Sequence, residues 1–335
     1  MATITSTELE VYLGSTSSGG TLVGTKITKQ GSPSQICMNS DPTSLGVALS
    51  PGTQYCARVR CTNSDQYTTE WRPDYAFRTL ILAEIESITI GCGDINVVGD
   101  LTYDNNDSNI GVTECGIYVS TAADGTNPTK ITIPEQDFVD EHGYDVSTLN
   151  EHTKYYAVPF ALDQDNREYV GEWINAERFT TKWNAPVITI SNVATTYNNI
   201  TGNINISTND SGITNVRLVI QPTGGGTAWT KNLTASTGTQ TFSITNGDTA
   251  DSSTPAGQTT IVINPSTEYR ITVYATNVET GGCTGSQQAT ATTAQQQTST
   301  IDIRSITNIT PTSACANLIY DNNNGGQTQG GSQNE

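Results

Sequence analysis

Side chains able to do chemistry are spread thinly along this sequence. Two histidines occur in 335 residues, His142 and His152. A histidine base must lie within hydrogen-bond reach of its nucleophile. These two flank Leu149 in one stretch that reads as a solvent-facing turn. The patterns GxSxG, HExxH, GxxxxGK(S/T) and GxGxxG are all absent. With them go the nucleophile elbow, the zinc-protease helix and the phosphate cradle. Seven cysteines (37, 56, 61, 92, 115, 283 and 315) are odd in number and show no CxxC spacing, which argues against zinc or a redox pair. Cys56 and Cys61 have opposite parity in one strand-like run, so a bridge between them is not expected. The cysteines read as free thiols serving as small core residues.

Carboxylates are the abundant reactive group, 33 against 15 Lys and Arg. A glycosidase needs two of them facing across a cleft, but at a net charge of −18 no particular pair stands out. Calcium is the one cofactor candidate. Asp163, Asp165 and Glu168 fall in one hairpin, with Asn166 between them, and Asp104 and Asp107 fall in one loop. Calcium takes oxygens from alternating loop positions. Neither segment has the full EF-hand spacing, and each also reads as an acidic hairpin tip. The negative charge opposes nucleic acid, whose phosphates need Lys and Arg, and it favours solubility. No stretch approaches 18 apolar residues, so no membrane insertion is expected. The N-terminal sequence MATITSTELEVYLG lacks a basic segment followed by an apolar run. The expectation is a protein that stays where it is made or leaves by virion assembly and lysis, with a mature secreted form as the alternative.

The elements that would hold such residues are strands. Apolar residues make up 34% and charged residues 14%, and much of the remainder is Thr, Ser, Asn and Gly. Thr favours strands while Asn and Gly serve turns. One phrase recurs three times: Leu49 to Tyr55 (LSPGTQY), Leu149 to Tyr155 (LNEHTKY) and Ile263 to Tyr269 (INPSTEY). Its pattern is apolar-x-Pro/Glu-x-Thr-x-Tyr, and an alternating strand follows each copy. A tyrosine that opens a strand and turns its hydroxyl back onto the preceding corner is a known sandwich device. Each copy is followed by a last strand ending in Thr: AFRT at 76–79, RFTT at 178–181 and ATATT at 289–293.

These segments resemble fibronectin type III repeats. The resemblance implies tandem immunoglobulin-like β-sandwiches with Tyr55, Tyr155 and Tyr269 as structural corner residues. The implied domains are 1–81, 82–182, 183–296 and a final piece, 297–335. Opening blocks begin at Ile85, Pro186 and Ile301, and LTYDNN (101–106) is nearly repeated as LIYDNN (318–323). These phrases are similar to repeats of bacteriophage virion proteins and of surface proteins of Bacteroidetes.

The ends do not make whole domains. The first corner tyrosine is residue 55, whereas the second and third follow their opening blocks by about 70 and 83 residues. Aligning Thr7–Glu8 with Thr113–Glu114 places the first strand at position C of a sandwich. Residues 301–323 read as an A–B hairpin with nothing after it but GGQTQGGSQNE. Three readings stay open: truncation or an atypical first domain, exchange of the hairpin between chains, and closure within one chain. The candidate exchange residues are Ile301, Ile303, Ile306, Ile309, Leu318 and Tyr320. Trp71 and Trp173 recur between the last two strands and are expected to cover the open end of each sandwich. Trp183 is expected at a domain boundary.

The function expected is non-enzymatic: a structural component of a bacteriophage virion (fibre, tail or capsid decoration) acting as spacer and attachment module. Its partners would be copies of itself, neighbouring virion proteins, or a protein or glycan of the host surface. The alternatives are a bacterial adhesin or filament subunit, and a carbohydrate-binding accessory module.

Overall fold

In a computed structural model the chain is all-β, an array of antiparallel sheets that pack as sandwiches. The structure describes residues 2–104, 111–279, 281–297, 300–310 and 312–321. It divides into two compact units, with the break after Trp183.

The first unit opens with β1 (Ile4–Leu13), β2 (Ile27–Gln30), β3 (Gln54–Asn63) and β4 (Tyr75–Arg78) in one sheet of order β2-β1-β3-β4. Alternation sorts its two faces. Leu9, Val11, Ala57 and Val59 line one side, Glu8, Glu10, Arg58 and Arg60 the other, as the β1–β3 register dictates. A small core forms from Val11, Ile27, Leu45 and Tyr55.

The same unit continues with β5 (Leu82–Ile90), β6 (Ile95–Thr102), β7 (Val112–Ser120), β8 (Thr129–Ile133), the one-turn helix α1 (Glu135–Phe138), β9 (Tyr144–Val146), β10 (Lys154–Asp163), β11 (Glu168–Val170) and β12 (Glu177–Thr180). Sheet β5-β6-β9 faces sheet β11-β10-β7-β8, with β12 also on β10. Their inner faces meet in one core that includes Ile95, Val97, Cys115, Ile117, Val119 and Phe138. Gly99 is required here, because a methyl on it would strike the Phe138 ring.

The second unit repeats the plan with β13 (Val187–Thr195), β14 (Asn199–Ser207), β15 (Ile213–Pro222), β16 (Ala228–Leu233), β17 (Gly238–Thr245), β18 (Ser252–Thr254), β19 (Glu268–Asn277) and β20 (Thr284–Thr292). Sheet β13-β14-β17 packs on β18-β16-β15-β19-β20. After it come β21 (Thr300–Thr307) and β22 (Cys315–Asp321), which form a two-stranded sheet of their own.

The recurring phrase builds the same corner three times. Tyr55, Tyr155 and Tyr269 accept hydrogen bonds on Oη from the backbone N–H of Ser50 (2.9 Å), Asn150 (3.1 Å) and Asn264 (2.8 Å). The residue two before each tyrosine is Thr. The residue before that Thr takes the left-handed conformation: Gly52 at φ 50°, His152 at 47° and Ser266 at 50°. A second threonine, which the sequence showed only as the end of the last strand, closes the corner. Thr79, Thr181 and Thr293 each donate at 2.6 Å to the carbonyl of Ser50, Asn150 and Asn264. Each also accepts from the N–H of Thr53, Thr153 or Thr267. The corner therefore ties the loop before the tyrosine's strand to the end of the last strand, using buried groups that would otherwise go unpaired.

Two outcomes follow from this packing. Thr293→Val keeps the shape but leaves the Thr267 N–H and the Asn264 carbonyl without that partner. Urea unfolding should show a loss of about 1–3 kcal/mol, against a few tenths for the exposed neighbour Thr292→Val. The second concerns alkali. Burial, with the Glu135 charge adding to it, pushes the Cys115 thiol up from 9.0 to about 12, and burial also raises Tyr269, Tyr169 and Tyr118. These groups stay neutral longer in the folded state, so stability is complete below about pH 9 and falls as the pH rises towards about 12. Urea midpoints at pH 8 and at about pH 10.5 test this, and a flat profile would count against it.

Candidate functional site

The acidic hairpin between β10 and β11 is built around its own arginine. Asp163 is buried, and its Oδ1 accepts from the N–H groups of Asp165 and Arg167, each at 2.9 Å. Its Oδ2 takes the Arg167 guanidinium through Nε (3.0 Å) and Nη2 (2.8 Å), a two-pronged ion pair. Glu168 turns away to Tyr118 Oη (2.8 Å) and Lys130 Nζ (3.4 Å). Asp165 meets Arg78 Nη1 at 3.2 Å. Asp165 also lies 3.5 Å from Arg167 Nη2, so the three calcium candidates are each taken up by basic side chains, Arg167 and Arg78 for the two aspartates and Lys130 for Glu168. Of the second set, Asp104 donates its N–H to the Gly52 carbonyl, and Asp107 lies outside the described residues. Among the described residues no group of three His, Cys, Asp or Glu is arranged to hold a metal ion.

What this hairpin does is join the first sheet to the sandwich that follows it. Arg167 Nη1 donates to the Arg78 carbonyl at 2.8 Å, at the end of β4. On the neighbouring strand end, Tyr103 packs against Gly52 so closely that a methyl there would collide with it. Loop tips of one sandwich therefore sit end-on against the corner of the sheet before it. Neither arginine stood out in the sequence. The available signal was a cation inside DQDNRE, in a chain with 15 basic residues.

The two faces of the first sheet differ sharply. The outer face carries Glu8 with Lys26 (2.7 Å) and Arg60 (2.6 Å), and Glu10 with Arg58 (2.7 Å). Trp71 lies over both guanidinium groups, 4.6 Å from Arg58 and 4.4 Å from Arg60. This corrects the expectation that Trp71 closes the end of a sandwich. The inner face is poorly covered. In the following sandwich, Cys115, Ile117, Ala157 and Ala161 are at most 1% exposed. Their counterparts by register, Thr7, Leu9, Ala57 and Cys61, are half-buried. This register sets Val11 against Ala57 as Val119 is set against Ala157, two residues away from the alignment of Thr7 with Thr113. Among the described residues no second sheet packs on this face.

The hairpin β21–β22 has the opposite surplus. Cross-strand pairs Ile301–Tyr320, Ile303–Leu318 and Ile306–Ala316 share one face. They match the inward pairs Ala83–Leu101, Ile85–Gly99 and Ile88–Val97 of β5–β6. Both hairpins carry their irregularity at the same place, between Ile303 and Ser305 and between Ile85 and Ser87. Yet Ile303 and Leu318 are 56% and 41% exposed, where Ile85 is half-buried and Gly99 buried. Ile301, Ile306 and Ile309 are exposed as well.

Compared with protein-family models and with curated proteins, the chain matches none.

The remaining candidates have structural settings. Cys37, Cys56, Cys61, Cys115 and Cys315 are free, but Cys92 and Cys283 are not free thiols, which corrects the expectation of seven. His142 is exposed beside Asp140. Trp173 lies over Gly125, and Trp183 stacks on His152 at 4.6 Å. No helix among the described residues is long and apolar enough to cross a membrane.

Arg167→Ala tests the junction. It removes two of the four bonds to the buried Asp163 carboxylate and the bond to Arg78, so unfolding should cost about 1–3 kcal/mol less. Limited proteolysis between residues 79 and 81 should speed up. Unchanged cleavage would mean that the hairpin does not brace the joint.

Proposed function

We propose that this chain is a non-enzymatic structural component of a bacteriophage virion, a fibre, tail or capsid-decoration protein. In this reading its fibronectin type III-like sandwiches serve as spacers and attachment modules. The observation that carries the proposal is a pair of apolar faces that the described residues leave uncovered, part of the first sheet's and that of the hairpin β21–β22. Apolar faces of this kind belong to proteins that work inside assemblies. The braced joint at Arg78 and Arg167 supports a spacer role, since a hinge held by an arginine anchored on a buried carboxylate and by a tight glycine contact bends little. The high negative charge suits a surface that must stay soluble until it meets its own partner.

Gold-labelled antibody against the chain provides the test, applied to purified virions and to intact bacterial cells. Regular labelling of particles is expected. Labelling of cells without particles would replace this reading with that of a surface adhesin or filament subunit.

A further inference from the structure

We infer that a cavity beside β5 takes a lysine side chain carried by an extended segment of a partner protein. The site lies apart from the uncovered apolar faces, and the inference does not depend on the structural-component reading.

The cavity comes from a break in the strand that runs beside β10. Pro159 sits within β10 and has no N–H to give a neighbouring strand. Its carbonyl accepts from the Gly171 N–H at 2.9 Å. There the neighbouring strand leaves the sheet as β11 ends, and it returns only at Glu177 with β12. Gly171 permits this close approach, since a methyl on it would strike the Pro159 ring. The break and the edge strand β5 leave between them a cavity of about 440 Å³, within the roughly 300–1,000 Å³ of ligand sites.

Its walls complement a lysine. One side is apolar, made by Ala83, Ala157, Val158 and Pro159, the first three each 1% exposed. Glu84, Glu172 and Glu177 stand exposed around it. No basic residue lines the cavity. Among the described residues none of these three carboxylates makes an ion pair. The acids of the β10–β11 hairpin, by contrast, are answered by arginines of the chain itself. Tyr169 completes the lining. Burial, and after it the charges of Glu84 and Glu172, raise its phenol, so carboxylates from two separate elements act on one ring. A lysine stem can lie along the apolar wall while its ammonium meets those carboxylates and the tyrosine face.

Two features select a protein segment over a free amine. β5 is bonded to β6 on one side only. Alternate residues therefore turn backbone N–H and C=O groups outward, where an extended chain can pair with them. Val170 lines the cavity, and Ile174 lies in the turn between the lining residues Glu172 and Asn175. They are 38% and 87% exposed and offer apolar area that a small amine would leave in water.

Fluorescence polarisation with the full chain tests this. The probe is a labelled pentapeptide, Thr-Val-Lys-Val-Thr, set beside versions with norleucine or glutamate in place of lysine. The lysine peptide should bind with a dissociation constant of about 1 mM or below, more weakly as salt rises. The other two should bind at least about tenfold less well. Glu84→Gln/Glu172→Gln should weaken the lysine peptide about tenfold. Both glutamates are exposed, so the fold is expected to stand. Glu141→Gln, exposed and outside the cavity, should change nothing. Equal binding of the lysine and norleucine peptides overturns the inference, as does lysine binding that the double variant leaves intact, or none at all. Displacement of the peptide by an equal concentration of hexylamine would make the ligand a free amine instead. Binding of cellohexaose in place of the peptide, lost in Tyr169→Ala, would make the cavity a sugar site.

Discussion

An amphipathic β-sheet needs a second layer over its apolar face, and most of this molecule follows from that requirement. Strands rich in Ile, Val and Thr pleat into sheets with one oily side. Burying that side gains roughly 25 cal/mol for each square ångström removed from water. Where a second sheet is present, as around Ile117 or Val273, side chains vanish from solvent. Where it is missing, as over Leu9 and Val59, the same residue types are only half-buried. The first sheet gathers a partial cover from Leu45, Ile36, Met38 and Leu49, loop residues that join its small core, while Thr7 and Cys61 stay half-buried.

The threonine–tyrosine corner explains how such thin layers stay aligned. A loop that enters a strand at the edge of a core must dispose of its backbone groups while buried. Here a phenol, two threonine hydroxyls and one left-handed residue satisfy them in the same way three times. Because Thr79, Thr181 and Thr293 directly follow β4, β12 and β20, the corner also fixes where each of those strands ends. In the first unit it thereby fixes the surface against which the following loops pack. Gly52 shows the coupling: it supplies the left-handed turn of its own corner and the space that Tyr103 occupies.

Charge plays a quieter part. The outer face of the first sheet pairs its carboxylates with arginine and lysine and lays Trp71 across them. The β10–β11 hairpin spends its buried aspartate on Arg167. Half-exposed ion pairs contribute little stability, but a buried carboxylate held by four hydrogen bonds sets direction. Arg167 can reach the Arg78 carbonyl because Asp163 orients it.

Much of this was legible in one dimension. Alternation and the phrase ending at Tyr55, Tyr155 and Tyr269 announce strands and corners, since period-two burial and a left-handed turn before Thr are local demands that leave local traces. The apolar spacing of Ile301, Ile303 and Ile306 likewise marks a hairpin. The fate of polar side chains was not legible, because it depends on neighbours brought together from distant positions. DQDNRE looks the same in sequence whether its carboxylates gather an ion or an arginine, and Trp71 gives no sign of the two guanidinium groups beneath it. Sequence alone determined which segments become strands and which of their faces are apolar. Only the tertiary structure decided which faces are covered and which acids are paired, because burial and pairing belong to the packed layers and not to any single strand.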